Sequence, residues 1–138
     1  MAESSIRLTT SDRHRLYLVV SSADRTGALD HAHALEFEDE IRGAEVLAPT
    51  EVPPDLITMR TTFRLTDLES GAASVYTIVY PHEADQAQGR ISVLSPLGSA
   101  VLGQRLGSAV QVSAPAGVRR VRLDEILFQP EAAGRYDL

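Results

Sequence analysis

Residues 48–65 read APTEVPPDLITMRTTFRL, and the character of the chain changes inside them. Pro49, Pro53 and Pro54 fall within eight residues. Each lacks the N–H that a helix interior requires, so no helix passes through. Beyond them the apolar period becomes two: Ile57, Met59, Phe63 and Leu65 are set against Thr58, Arg60, Thr62 and Arg64. This pattern predicts a half-buried strand over residues 56–65 with one apolar face. The proline segment is the expected boundary between a domain over residues 1–50 and another over residues 51–138.

Upstream of the boundary the period is helical. Thr10, Ser11 and Asp12 are N-cap formers ahead of Leu16, Val19 and Val20, which predicts a helix over residues 10–22. The β-branched pair Val19-Val20 also suits a strand. Ala23 to Gly27 reads as a turn, with Asp24 and Arg25 at its tip. A second helix follows, because Ala34, Phe37, Ile41 and Ala44 form a stripe at i, i+3, i+7 and i+10. Glu36, Glu38, Asp39 and Glu40 read as its solvated face. Two helices joined by a short turn make an antiparallel hairpin.

Downstream, Thr66 to Gly71 turns the chain, and Ala73 to Tyr80 is β-branched and aromatic enough to pair with the strand before it. Pro81 ends that strand. Residues 82–90 form a polar loop or a short helical turn. Residues 91–107, ISVLSPLGSAVLGQRLG, read as a strand end, a Ser-Pro turn and a short helix. Ala109 to Ser113 forms a strand, and Ala114-Pro115-Ala116-Gly117 has the form of a type I turn. The last strand runs from Val118 to Phe128. Its apolar phase moves from Val121 and Leu123 to Ile126 and Phe128, which predicts a bulge near Asp124-Glu125. The class is α+β, with an antiparallel sheet of four or five strands.

Composition narrows the chemistry. Nineteen acidic residues oppose thirteen basic ones, all arginine, for a net charge of −6. Clustered cations for a phosphate backbone are absent, so nucleic acid is not an expected direct partner. The first 50 residues carry nine acids and five arginines, net −4; the remainder carries ten and eight, net −2. Without cysteine there is no disulfide and no thiolate ligand or nucleophile. The sequence has no apolar stretch of signal-peptide or membrane-spanning length, so a cytoplasmic protein without membrane contact is expected.

Candidate sites are few. Gly98 to Arg105 has the GxxxxG spacing of a phosphate loop, but Gln104 and Arg105 stand where Lys and Ser or Thr are needed. His31 and His33 lie two apart, about 200° apart on a helix, and cannot share a metal as an i, i+4 pair can. His14 and His82 read as surface histidines. Arg119, Arg120 and Arg122 read as an exposed strand face. There is no GxSxG nucleophile elbow. The residues point to a binding protein, with no enzyme activity, cofactor or metal expected.

Several segments taken in order resemble one family. EVPPDLITM, a strand ending IVYP, ISVLSPLGSAVLGQRLG, SAPAGVRRVRL and FQPEAAGRYDL together look like the regulator of nucleoside diphosphate kinase (Rnk) family, relatives of the Gre transcript-cleavage factors. The resemblance implies a helical hairpin followed by an FKBP-like domain. It also implies docking on RNA polymerase, at the rim of the secondary channel, through Ser95, Pro96, Leu97, Gly98, Ser99, Ala100, Val101, Leu102 and Gly103. Val101 stands where the family has Leu, and Ser108 follows Gly107 where relatives have Asp. Gre factors place acidic residues at the tip of a long coiled coil to help hold a catalytic Mg²⁺. Here each predicted helix has at most about 15 residues, so the hairpin reaches only roughly 20 to 25 Å and offers one acid, Asp24, beside Arg25. A non-enzymatic polymerase-binding regulator without cleavage stimulation is the expectation. Direct contact with a nucleoside diphosphate kinase is the alternative. A prolyl isomerase would rest on fold analogy alone, with Phe63 and Phe128 expected at core positions.

Overall fold

The computed structural model describes residues 6–114 and 117–135. The chain divides into two compact units, Met1–Val52 and Pro53–Leu138. The mixed α+β composition expected from the sequence is present.

In the first unit, β1 (Arg7–Thr9) leads directly into α1 (Thr10–Thr26), α2 (His31–Arg42) follows a short turn, and β2 (Glu45–Leu47) comes last. The cap of α1 is Thr9, one residue before the expected cap formers. Its side-chain oxygen accepts from the Asp12 N–H at 3.0 Å. The helix also outruns its expected end at residue 22. Gly27, at φ 81°, supplies the left-handed cap there, so Ala23 to Thr26 are helical rather than a turn. Asp30 caps α2 through the His33 N–H. Leu16, Val20 and Ala23 on α1 are buried, as are Ala34, Phe37 and Ile41 on α2. Arg13 Nε donates to the Ile41 carbonyl, and Ser21 Oγ donates to Glu38. β1 and β2 pair in parallel, and Leu8 of β1 is fully buried. Three residues are too few for a period of two to show in sequence, and neither strand was expected.

The second unit holds a five-stranded sheet in the order β5-β4-β3-β7-β6, built from β3 (Thr62–Asp67), β4 (Ala73–Val79), β5 (Arg90–Ser92), β6 (Ala109–Ala114) and β7 (Gly117–Phe128). The sheet is mixed rather than wholly antiparallel, because β4 and β5 run parallel. Two short 3-10 turns, Pro81–Glu83 and Gln86–Gln88, carry the chain back so that β5 enters in the direction of β4. The strand expected over residues 56–65 starts only at Thr62. Residues 56–59 and Thr61 are buried irrespective of parity, and the Thr61 N–H donates to the Thr58 carbonyl across a turn. β7 carries the expected bulge. Arg64 faces Glu125 while Leu65 faces Leu123, so Asp124 is the extra residue. A second shift leaves Leu127 extra and rotates Phe128 outward to 37% exposure, correcting its expected core position. Phe63 is fully buried, with its ring 6.4 Å from that of Tyr76. The turn expected at Ala114-Pro115-Ala116-Gly117 falls on Pro115 and Ala116, outside the described residues.

Arg60 sits at the apex of the 58–61 turn with φ 67°, a left-handed conformation costly for any side chain with a Cβ. Its N–H donates to the Ile78 carbonyl at 2.7 Å, and its side chain adds two contacts. Its guanidinium grips Glu83 with Nη2 to Oε2 at 2.9 Å, and lies 5.2 Å from the centre of the Tyr80 ring. Burial opposes ionisation of Glu83, but hydrogen bonding and charge from Arg60 outweigh it and lower the carboxyl pKa. Stability from this pair is therefore present above the ordinary glutamate value and is lost as pH falls through the lowered one. Arg60→Ala loses the clamp and keeps the strain, whereas Arg60→Gly loses the clamp and the strain together. Urea unfolding is expected to place the glycine variant about 1 kcal/mol above the alanine variant. Equal stabilities would show that the backbone there is unstrained.

Candidate functional site

The stretch Ser95 to Gly103 forms α3 (Pro96–Val101) and its two ends. Ser95 fixes the start of the helix. Its hydroxyl donates to the Ser92 carbonyl at 2.7 Å and accepts from the Gly98 N–H at 3.1 Å. Pro96 sits in the first turn, where its missing N–H costs nothing. A Cβ on Gly98 would lie 2.1 Å from the Ser92 carbonyl oxygen and 3.0 Å from the Val93 Cα. Both are backbone atoms, so only glycine lets α3 lie this close to the end of β5. Gly98, expected within a docking surface, instead gives its space to the chain's own backbone.

The nine residues expected to form a contact surface therefore divide. Gly98, Val101, Leu102 and Gly103 are buried. Pro96 is exposed, and Ser95, Leu97, Ser99 and Ala100 are partly exposed. Beyond the helix the chain pairs with residues 55–57. The Gly103 N–H donates to the Ile57 carbonyl, the Ile57 N–H to Gln104, and the Leu106 N–H to Asp55, each at 2.9 Å. Arg105 forms an ion pair with Asp55 at 2.7 Å, so its guanidinium is committed within the chain. Ser108 opens the register of β6 with β7 through its carbonyl, which accepts from the Leu123 N–H at 3.0 Å.

Asp24 and Arg25, expected in a turn, lie in the last turn of α1, with Asp24 partly exposed and Arg25 exposed. The Asp24 carboxylate lies against His31 Nδ1 at 2.9 and 3.1 Å. Asp30 pairs with His33 at 3.2 Å. Asp30 is a second acid at this tip, beyond the single Asp24 expected there. The signal was present in its place as the residue before HAHA, where an Asx cap belongs. The hydrogen bond to Asp24, followed by the charge of Asp24, raises the His31 pKa above 6.5. Elsewhere Arg119 pairs with Asp67 at 2.9 Å and Arg122 with Asp124 at 2.7 Å. Among the described residues no group of three or more His, Cys, Asp or Glu side chains converges to hold a metal, and no helix is long and apolar enough to cross a membrane.

The GreA/GreB transcription elongation factor C-terminal family model matches residues 52–127. The chain is 32% identical to the regulator of nucleoside diphosphate kinase of Escherichia coli K12, over 99% of this chain and 98% of that one. This chain belongs to the Rnk branch of the GreA/GreB family. It is also 34% identical to GreA of Mesorhizobium japonicum, over 78% of this chain and 68% of that one. The solved structure of a GreA/GreB elongation factor from Nitrosomonas europaea superposes with a TM-score of 0.75 at 31% identity, covering 91% of this chain and 100% of that one.

Two outcomes follow for this Rnk relative. Gly98→Ala forces α3 off β5 and is expected to cost about 1–3 kcal/mol in chemical unfolding, while Ser99→Ala stays near neutral; a neutral Gly98→Ala would refute the close approach. By proton NMR, His31 is expected to titrate above 6.5, and Asp24→Asn to return it toward that value. Because the folded value is raised, stability from this pair is full below the ordinary value and is lost as pH rises through the folded one.

Proposed function

We propose that the chain is a non-enzymatic transcription regulator that binds RNA polymerase at the rim of the secondary channel, through the exposed side of α3, without stimulating transcript cleavage. The observation that carries this reading is the split of α3. Its inner side is locked to β5 through Gly98, so Pro96, Leu97, Ser99 and Ala100 form a preorganised outer face. Support comes from relatives named as elongation factors, one of them matching over most of both chains. In the same reading, residues 1–50 are a short helical hairpin and residues 51–138 an FKBP-like domain of the GreA/GreB type.

The absence of cleavage stimulation is argued from the tip. At 1.5 Å per residue the 17 residues of α1 reach about 25 Å and the 12 of α2 about 18 Å. Asp24 and Asp30 are each engaged by a histidine rather than presented as a free pair for a metal. The second reading, direct contact with a nucleoside diphosphate kinase, draws on the name of the Escherichia coli relative.

A competition assay between this protein and a Gre cleavage factor for RNA polymerase tests both halves. The wild type is expected to compete without stimulating cleavage, and Leu97→Glu to weaken competition at least about tenfold, the loss typical of a central contact. Failure to bind polymerase, or cleavage stimulation equal to that of a Gre factor, would sink the proposal. Retention of the kinase on immobilised protein without polymerase would favour the second reading.

A further inference from the structure

The segment after β7 reads in sequence as a short polar tail, yet Gln129 is only 3% exposed and Pro130 is buried beside it. The Gln129 side chain makes three hydrogen bonds. Its amide nitrogen donates to the carbonyls of Pro53 at 2.9 Å and Leu56 at 2.6 Å, and its amide oxygen accepts from the Ala132 N–H at 3.2 Å. Two residues on, Glu131 accepts from the hydroxyl of the fully buried Thr58 at 2.7 Å. The tail thus grips residues 53–58 by side chains at both ends of that segment.

The other edge of the same segment carries the exit of α3. Asp55 and Ile57 supply the backbone bonds to Gly103, Gln104 and Leu106, and Leu56 lies opposite Arg105. By strand alternation the Leu56 carbonyl faces away from that ladder, and Gln129 satisfies it. An unmade bond to a buried carbonyl carries the full desolvation cost, so the clamp holds the segment in one position.

The geometry points to Gln129 as a positioning residue for the docking helix. It acts through residues 53–57, and this role rests on the polymerase-docking reading of α3. The match to the GreA/GreB family model ends at residue 127, so Gln129 and Glu131 lie beyond it while the residues they grip lie within it. Gln129 fixes the exit of α3 while Gly98 fixes its inner side.

Backbone hydrogen exchange and polymerase competition on the full chain test this together. Gln129→Glu keeps the shape and the acceptor but removes the two donors, and Gln129→Ala removes all three bonds. Both are expected to speed exchange at the Gly103 and Leu106 amides at least about tenfold relative to the Ile78 amide, and to weaken competition about tenfold. Val121→Ala, a change in the sheet core opposite Asp67, at the far end of β3 from the clamp, is expected to lower thermal stability with both the ratio and the competition preserved. An unchanged Gly103 to Ile78 ratio in the Gln129 variants would overturn the clamp. Faster exchange with full competition would overturn its part in docking. Wild-type protein that fails to compete would instead bring down the docking reading, and the exchange ratio separates that failure from a failure of the clamp.

Discussion

The Ser92 carbonyl oxygen occupies the space in which a side chain at position 98 would begin. With glycine there, a six-residue helix too short to be stable alone lies directly on the end of β5 and takes a single orientation. Ser95 reinforces this by bonding the same carbonyl while capping the helix. The burial of Val101 and Leu102 then follows, since a helix held at backbone contact turns one side fully inward. The outer face inherits its rigidity from this contact, because little side-chain or backbone freedom remains to be lost on binding.

A second constraint acts at the same end of the sheet. β3 begins there and β4, β5 and β7 end there, so the 58–61 turn, the Pro81–Glu83 turn, α3 and the tail gather at one rim. Arg60 is held in a left-handed conformation between Glu83 and Tyr80, and Thr58 is tied to Glu131. Side-chain bonds join these connections alongside backbone bonds such as that from the Arg60 N–H to the Ile78 carbonyl at 2.7 Å. The first unit follows a different rule, with two capped helices and a parallel pair of three-residue strands in which Leu8 is buried.

What could be read in the sequence was what local chemistry dictates. The helices announced themselves through apolar stripes, while the caps at Thr9 and Asp30 were not picked out, and the bulge at Asp124 showed through a change of phase. The start of a short helix at Ser95-Pro96 was legible for the same reason. Features fixed by distant partners were not legible. β1 and β2 are too short to carry a period, and although a strand end was expected at Ile91, the parallel entry of β5 depends on where β4 lies. The residues from Leu56 to Thr61 imitate a strand, although contacts on both sides bury them. The role of Gly98 depends on a carbonyl six residues earlier in the chain, and that of Gln129 on carbonyls more than 70 residues away. A polar residue in a polar tail gives no sign of burial until the partner is in place.

The central claim is that α3 presents one fixed outer face to RNA polymerase. Site-specific photo-crosslinking tests it most directly, with a photoreactive side chain placed either at Ser99 on α3 or at Arg120 on the exposed part of β7. The account predicts crosslinks to polymerase from position 99, lost when a cleavage factor is added in excess, and none from position 120. Crosslinks from position 120 with none from position 99 would contradict it.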